Sequence, residues 1–372
     1  MAWIEQHGGG WRVRYQRPDG SIGSESGFAD PERARGRASD IKYELRNQLF
    51  QDPKKGQITL GEWIEIWSEA HDVSAGTWAK YRCHLDNHIL PKFGDVPLAE
   101  MSRIRIKAWV KNLNRHLADA TTTDVMVLLS MILREAVDEG LIANNPCSRL
   151  GVRLSAPKQR VVAAPWEVDR ISQRCGTDGR VLVVTAAYTG MRWGELAGLQ
   201  WHNVDLKAGT INIDADKGAL HEHGGVLELG PPKTPASVRT IHIPTSLTAL
   251  LTEHAGRQVG DHVFTGRHGG LLRRANFGKR FWKPAVEGDK ERGRAALKPG
   301  LTFHDLRHTQ RTWLIEDGVP EVLIHDRLGH RLPGVRGIYS HVTEPMIAAM
   351  CAGLERRWRN SISEVLLEPV PD

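Results

Sequence analysis

The chain has 372 residues, of which 40% are hydrophobic and 25% charged, and its formal net charge is +6. This length exceeds one ordinary core and predicts two or three domains, and the positive balance suits a polyanionic partner. We find no apolar run of membrane-spanning length, no signal peptide, and no cysteine spacing typical of a zinc site or a disulfide framework, so we expect a cytoplasmic protein without membrane contact.

The first predicted module spans residues 1–57 and carries a net charge of +2. Its alternating stretch WRVRYQRPDGSIGSESGF predicts two strands joined by a turn at Pro18–Gly20. A helix is predicted from Pro31 to about Gln51, and the polar stretch QDPKKGQ indicates a linker. Three arginines alternate with apolar residues near the first strand: Arg12, Arg14 and Arg17. This pattern is typical of a DNA-reading sheet, and also of a solubilising sheet edge.

The second predicted domain spans residues 58–150, carries a net charge of −2 and has a helical pattern. It begins with Thr59 and Glu62 at the spacing of a capping box. Four cations recur every four residues: Arg103, Lys107, Lys111 and Arg115. Such a stripe can lie along phosphates, and a solvated helix face explains it equally well.

The third predicted domain spans residues 151–372 and carries a net charge of +6. Three short alternating runs, GTINIDA, GGVLELG and SVRTIHIP, predict strands, and the remainder is helical to about Arg359. The whole chain is therefore predicted to be mainly α with small β-sheets, in the α+β class.

Polar groups concentrate in three pieces of this third region. In AAYTGMRWGELAGLQW, Arg192 and Glu195 stand three residues apart. A purely structural ion pair has the same spacing. In FHDLRHTQRTWLIEDGVP, one helix face carries four cationic or titratable groups: His304, Arg307, His308 and Arg311. In RLGHRLPGVRGIYSHV, His330 follows a glycine and Tyr339 comes nine residues later.

In this order the pieces resemble the tyrosine recombinase family, the phage integrases and their relatives that cut and rejoin DNA through a tyrosine. The family pattern has an Arg in a Thr-Gly-x-Arg-x-x-Glu turn, a Lys in a strand hairpin, His-x-x-Arg, Gly-His, and a Tyr about nine residues later. Six residues match it in type, order and spacing: Arg192, Lys233, His304, Arg307, His330 and Tyr339. The resemblance covers residues 165–359 and implies an arm-type DNA-binding module at 1–57, a helical core-binding (SAM-like) domain at 58–150 and a catalytic domain at 151–372.

The resemblance also implies a role for each matched residue. Arg192 and Arg307 bind the phosphate oxygens, and His330 donates a hydrogen bond to the phosphate. Tyr339 is the nucleophile, and His304 acts either as its base or as a phosphate donor. Lys233 protonates the leaving oxygen, with Lys217 as the fallback. Glu195 and His308 have supporting roles, and Arg311 supports the site or contacts DNA.

The partners implied by the resemblance are double-stranded DNA with core and arm-type sites, a homotetramer on that DNA, a host DNA-bending protein and an excision factor. No cofactor or metal is expected. The C-terminal stretch PMIAAMCAGLERRW places apolar residues near one helix face, and we expect it to dock on a neighbouring protomer. Packing on its own domain explains the same periodicity.

Four alternative functions share part of this pattern. A zinc hydrolase is suggested by the offset of His304 and His308 and by His221, but Asp305 stands where a metalloprotease helix needs Glu. If the chain were a non-catalytic DNA-binding protein, we would expect one of the six matched positions to be lost, and none is. A type IB topoisomerase shares the chemistry, and a chromosome-dimer recombinase usually lacks a module equivalent to residues 1–57.

Overall fold

The computed structural model describes residues 1–17, 20–47, 55–151, 160–257, 259–266, 269–330 and 341–367, with side chains to residue 361. The chain forms two compact units, Met1–Pro157 and Lys158–Asp372. Helices dominate the described residues, and the strands there form three small antiparallel sheets, which confirms the predicted α+β class. No described helix has both the length and the apolar character that crossing a membrane requires.

The N-terminal module is a three-stranded sheet packed against one helix. Its elements are β1 (Ala2–His7), β2 (Gly10–Gln16), β3 (Ile22–Phe28) and α1 (Pro31–Arg46), and the sheet order is β1-β2-β3. The two predicted strands are confirmed, and β1 is an additional one. The helix ends at Arg46 rather than near Gln51, because Asn47 caps it by donating its side-chain amide to the carbonyl of Tyr43. The predicted linker lies mostly outside the described residues, which resume at Lys55.

The rest of the first unit is helical, as predicted. It contains α2 (Leu60–Ala70), α3 (Ala75–His84), α4 (Leu90–Phe93), α5 (Arg103–Leu113) and α6 (Asp119–Asp138). The capping box is confirmed: the Glu62 backbone N–H donates to Thr59 Oγ1, and the Thr59 N–H donates to the Glu62 carboxylate. This region and the N-terminal module have separate hydrophobic clusters. The predicted boundaries at residues 57 and 150 stay predictions.

The second unit is built around a helix whose C-terminal nine residues are buried. Its helices are α7 (Pro165–Arg174), α8 (Gly176–Thr189), α9 (Trp193–Ala197), α10 (Thr245–Ala255), α11 (Arg274–Phe277), α12 (Lys283–Glu287), α13 (Asp305–Glu316), α14 (Glu321–Leu328) and α15 (Glu344–Leu367). Every residue of α8 from Val181 to Thr189 is buried, so this part of the helix is enclosed on all sides and lies in the core.

Two small sheets lie between α9 and α10. They are formed by β4 (Val204–Asp205), β5 (Thr210–Ile213), β6 (Ala219–His223), β7 (Val226–Gly230) and β8 (Arg239–His242), with orders β4-β5-β8 and β6-β7. The three predicted strands are confirmed, and β4 and β6 are additional. Lys233 was expected on a hairpin turn, and this was wrong: β7 pairs with β6 and β8 with β5, so Lys233 lies on a segment joining two sheets.

The C-terminal helix α15 packs on its own unit in this single chain, and the expected docking on a neighbouring protomer stays a prediction. Met350 and Leu354 are buried in the core of the unit, and the Trp358 ring contacts Tyr188 with centroids 5.2 Å apart. Glu355 accepts hydrogen bonds from the backbone N–H and hydroxyl of Ser246, at 2.9 and 2.6 Å. Part of the apolar face of α15 is therefore covered within the chain, while Met346, Ile347, Cys351 and Trp358 are only partly buried.

We expect Leu354→Ala to destabilise the second unit by about 2–5 kcal/mol, because the side chain is fully buried and its removal leaves a cavity. Thermal unfolding of the full chain measures the effect, with Ile315→Ala, at an exposed helical position, as the matched control. If α15 instead belonged to a neighbouring protomer, the destabilisation would depend on protein concentration.

Candidate active site

The turn between α8 and α9 positions the first pair of site residues. Gly190 ends α8 in the left-handed conformation, and a Cβ there would lie 2.6 Å from a Leu328 methyl carbon, so only glycine fits. Arg192 then begins α9: its backbone N–H donates to Glu195 Oε2 at 2.9 Å, and its Nη1 donates to Oε1 at 2.7 Å. The predicted ion pair is present, and it fixes the direction of the Arg192 guanidinium.

A second arginine shares the Glu195 carboxylate and was missed by the sequence analysis. Arg239 on β8 donates from Nη2 to Glu195 Oε2 at 3.0 Å, and both side chains are almost fully buried. Burial alone would raise the pKa of Glu195, but Arg239 and then Arg192 hold it below its usual value. The sequence did contain a sign of this contact. In SVRTIHIP, Arg239 stands two residues before the apolar Ile241 and so shares its strand face, and a charged side chain on a buried face requires a partner.

Helix α13 positions His304 and Arg307. Asp305 fixes the start of the helix by accepting from the backbone N–H and hydroxyl of Thr302, at 2.9 and 2.6 Å. Arg307, one turn into the helix, is buried and donates to the carbonyls of Gly190 and Leu328. Burial and then the charge of Arg192 lower the pKa of Arg307 to about 9. No carboxylate pairs with Arg307 in the described part of the chain, so this cation lacks a counter-ion.

His330 follows the left-handed Gly329 that ends α14, and it contacts Arg307. The Arg307 Nη2 atom lies 2.9 Å from His330 Nε2. A guanidinium has only N–H donors, so Nε2 must accept and the ring proton must lie on Nδ1. Desolvation and then the charges of Arg307 and Arg192 lower the pKa of His330 to about 4. The imidazole is therefore neutral at pH 7 and carries its proton on Nδ1, which can donate to an anion.

We expect the His330 ring to titrate near pH 4, well below the ordinary histidine value of about 6.5. Because the folded-state pKa is depressed, protonation opposes the native arrangement, and this group lowers stability as the pH falls from about 6.5 towards 4. NMR titration of histidine-labelled protein, with the resonance assigned by its loss in His330→Asn, measures the midpoint. A midpoint of 6 or above would contradict the described environment.

The segment that carries Lys233 is joined to Arg192 through two hydroxyl groups. Arg192 Nη1 donates to Ser237 Oγ at 2.9 Å, and Ser237 Oγ lies 2.9 Å from Thr234 Oγ1, next to Lys233. Ser237 is fully buried, and the sequence analysis missed it because no local pattern reveals a contact 45 residues away. Lys233 itself is exposed, and the fallback Lys217 is exposed in the turn after β5.

His304 lies at the N-cap of α13 beside these groups. Its side chain stays exposed, yet packing around the ring, and then His308 and Arg307, lower its pKa. The rings of His304 and His308 meet edge to face at 5.4 Å. Within the described ranges no cluster of three or more His, Cys, Asp or Glu side chains could hold a metal ion.

Two family models match this chain. Residues 164–345 match the phage integrase family, and residues 59–114 match the N-terminal SAM-like domain of phage integrases. The prophage phiRv2 integrase of Mycobacterium tuberculosis is 28% identical over 350 residues, which cover 90% of each chain. The chain belongs to the phage integrase family of tyrosine recombinases. The integrase is accordingly a site-specific recombinase.

Two solved structures share the fold of this integrase. The Tn1549 transposon integrase, solved in complex with transposon right end DNA, aligns with a TM-score of 0.65 at 20% identity and covers 80% of this chain and 99% of its own. A lambda integrase tetramer bound to a Holliday junction aligns with a TM-score of 0.56 at 19% identity, over 91% of this chain and 98% of its own.

The structure of the integrase thus brings together five of the predicted residues: Arg192, Glu195, His304, Arg307 and His330. Lys233 is connected to them through the Thr234 and Ser237 hydroxyls. Tyr339 lies outside the described residues. Arg311 is exposed on α13, and its charge contributes to the lowered pKa of His330.

The predicted DNA-contact arginines of the N-terminal module have partners within their sheet. Arg12 and Arg14 both contact the Glu5 carboxylate, Arg14 at 3.6 Å, and Arg14 lies over the Trp3 ring. Arg17 follows β2 and donates to Ser21 Oγ at 3.1 Å. The other four lie in the helical region, exposed along α5 and just beyond it: Arg103, Lys107, Lys111 and Arg115.

Proposed function

We propose that the integrase cuts and rejoins double-stranded DNA through a covalent bond between Tyr339 and a 3′ phosphate, as a phage or mobile-element integrase. The observation that carries this proposal is the charge balance of the site. Arg192 and Arg239 share the carboxylate of Glu195, and the nearby guanidinium of Arg307 has no paired carboxylate among the described residues. Two positive charges remain to be balanced, and a phosphodiester under attack supplies growing negative charge on its non-bridging oxygens.

Arg192 and Arg307 together form what we name the phosphate clamp. Both side chains are fixed before substrate arrives: Arg192 by Glu195 and Ser237, Arg307 by two backbone carbonyls. Preorganised donors require little rearrangement as charge develops, which is the main source of transition-state stabilisation in phosphoryl transfer. His330 extends the clamp through its Nδ1–H.

The remaining steps are proton transfers. A tyrosine with a pKa of about 10 is mostly neutral at pH 7, a deficit of roughly 4 kcal/mol, so the Tyr339 oxygen needs a base or cationic surroundings as it attacks phosphorus. His304 is neutral under these conditions and can accept that proton or donate to the phosphate. The bond to the 5′ oxygen breaks, and Lys233 protonates this leaving group. The phosphotyrosine keeps the energy of the broken ester, so rejoining needs neither ATP nor a metal.

The experiment that tests the proposal uses a nicked suicide substrate carrying a candidate attachment site, incubated with the integrase in the presence of a chelator. A protein-DNA adduct on a denaturing gel is expected, with mass spectrometry locating the nucleotide on the peptide that contains Tyr339. Loss of the adduct in chelator and its restoration by magnesium or zinc would overturn the metal-free mechanism. An adduct on another residue would overturn the choice of nucleophile.

We further propose that the integrase acts as a tetramer on DNA in the cytoplasm of a bacterial host, with a DNA-bending protein and an excision factor as partners. The lambda integrase tetramer on a Holliday junction supports the assembly.

Residues 1–57 would bind an arm-type site, although the shared Glu5 carboxylate reduces the net charge that Arg12 and Arg14 present. A chain beginning at Ile58 should then form the adduct on core DNA yet fail to integrate between full sites.

A further inference from the structure

Three consecutive backbone carbonyls at the C-terminal end of α14 each accept a hydrogen bond from a different arginine of the site. The accepting carbonyls are those of Arg327, Leu328 and Gly329, and the donors, in the same order, are Arg239 Nε at 2.7 Å, Arg307 Nη2, and Arg192 Nη2 at 3.4 Å. We name residues 327–329 the α14 terminus. This short stretch of backbone contacts all three guanidiniums and so relates their positions to one another.

The way in which α14 ends explains why these carbonyls are available. The last four carbonyls of a helix have no partner within it. Here the backbone N–H of Gly329 donates to the carbonyl of Asp326 at 3.0 Å, and that of His330 donates to the carbonyl of His325 at 2.9 Å, as in a Schellman motif. The carbonyls of the last two helical residues remain for the arginines. The negative end of the helix dipole lies at the same place, which favours nearby cations.

The side chain of Arg327 connects the α14 terminus to three other elements. Its Nη1 donates to the carbonyl of His242 on β8 at 2.6 Å, and its Nη2 donates to the carbonyl of Tyr188 on α8 at 2.7 Å. With its amide oriented so that both ends are paired, Gln310 on α13 accepts from Arg327 Nε at 3.2 Å. Because α8 leads into the turn before Arg192, while β8 and α13 carry the other two arginines, one planar group joins the supports of all three.

Arg327 has no direct part in the chemistry, and stability alone does not account for it. Its side chain is buried, so it does not reach DNA. Burial lowers its pKa to about 10, which leaves the guanidinium charged at pH 7. A buried charge loses its hydration, and an apolar side chain of similar volume often stabilises a core as well or better. What an apolar side chain cannot supply is a set of directional hydrogen bonds to three elements.

We infer that Arg327 is a positioning residue for DNA cleavage, which holds the α14 terminus where its carbonyls align Arg192, Arg239 and Arg307. The inference rests on the proposed function for the reaction that depends on this alignment. Arg327 acts through the three arginines and touches neither the phosphate nor the nucleophile. Its effect on rate is nevertheless large, because a misplacement of about 1 Å in a group that binds the reacting atoms costs roughly a hundredfold.

The test compares the full-length Arg327→Lys variant with the wild-type integrase. Lysine keeps the charge, but its single nitrogen cannot replace a planar fork that reaches three elements. Single-turnover cleavage of a nicked suicide substrate should slow by roughly ten- to a hundredfold, while the Kd for the DNA changes by less than about threefold. Leu251→Ala, at a fully buried position on α10, is the control: it should lower the unfolding temperature without slowing cleavage by the folded protein.

A second measurement does not depend on cleavage. His330 follows the α14 terminus, and its Nε2 accepts from Arg307, which keeps the ring proton on Nδ1. The nitrogen chemical shifts of isotope-labelled histidine report this tautomer at pH 7. Displacement of the α14 terminus separates the ring from Arg307, so Arg327→Lys should show a mixture of both tautomers at His330. The Leu251→Ala control should keep the single tautomer, because a general loss of stability does not move this contact.

A folded Arg327→Lys protein with the wild-type cleavage rate and a single His330 tautomer would overturn the positioning role, and so would equal slowing in Leu251→Ala. If Arg327→Lys does not fold, Gln310→Met, which removes one acceptor from the same guanidinium, replaces it with the same expected directions. A wild-type protein that forms no adduct, while the tautomers differ as expected, would refute the proposed function and leave the positioning role standing.

Discussion

Tyr339→Phe is expected to reduce the amount of covalent protein-DNA adduct by roughly a thousandfold or more, while DNA binding persists. The substitution removes only the phenolic oxygen, so no atom remains at this position to attack phosphorus. The aromatic ring is kept, and the clamp of Arg192 and Arg307 still offers its donors to the phosphate.

The adduct is measured on a denaturing gel with a suicide substrate, at protein concentrations that saturate the DNA. Tyr43→Phe serves as the matched control, because Tyr43 is an exposed tyrosine on α1 and its hydroxyl should be dispensable. An undiminished adduct in Tyr339→Phe would show that another residue is the nucleophile, and loss of the adduct in both variants would indicate a general defect.

Arg307→Lys is expected to reduce the rate of cleavage by roughly a hundred- to a thousandfold, the usual effect of losing a preorganised donor to a developing oxyanion. Arg307 holds the carbonyls of Gly190 and Leu328 and the ring of His330 with one planar group. A lysine ammonium is a point charge that cannot make these contacts and also bind two phosphate oxygens. Positive charge is retained, so affinity for DNA should change much less.

Single-turnover cleavage and DNA affinity are measured in parallel, and thermal unfolding reports whether the buried substitution leaves the fold intact. Arg356→Lys, on the exposed side of α15, is the control for the same chemical change. A cleavage rate within about tenfold of wild type would mean that charge alone, without paired hydrogen bonds, accounts for the role of Arg307.

The sequence predicted those parts of the site that depend on local spacing. Arg192 and Glu195 stand three residues apart and make a capping interaction, and His304 and Arg307 occupy one turn of helix. Order and spacing were therefore enough to identify them. Ser237 and Arg239 were missed because their contacts with Arg192 and Glu195 join positions 45 and 44 residues apart, and only the folded chain brings these positions together.

The sequence likewise predicted the local elements of the fold but not the contacts between them. The helical stripe of α15 was located from its periodicity, but a periodic apolar face does not reveal which surface covers it. The contacts of Leu354 and Trp358 in this chain depend on the tertiary structure. The place of Lys233 was wrong for a similar reason. Alternation identifies strands, whereas pairing of β5 with β8, across the intervening β6-β7 hairpin, depends on the tertiary structure.

The hydrogen bonds from Arg307 to the carbonyl of Leu328 and to His330 limit how far Tyr339 can lie from Arg307. They anchor one end of the stretch that leads to Tyr339, nine residues further along the chain. Nine residues span at most about 32 Å even when fully extended. Tyr339 therefore cannot lie farther than that from His330 of its own protomer. This distance permits the proposed nucleophile to reach a phosphate held by Arg192 and Arg307 of the same chain.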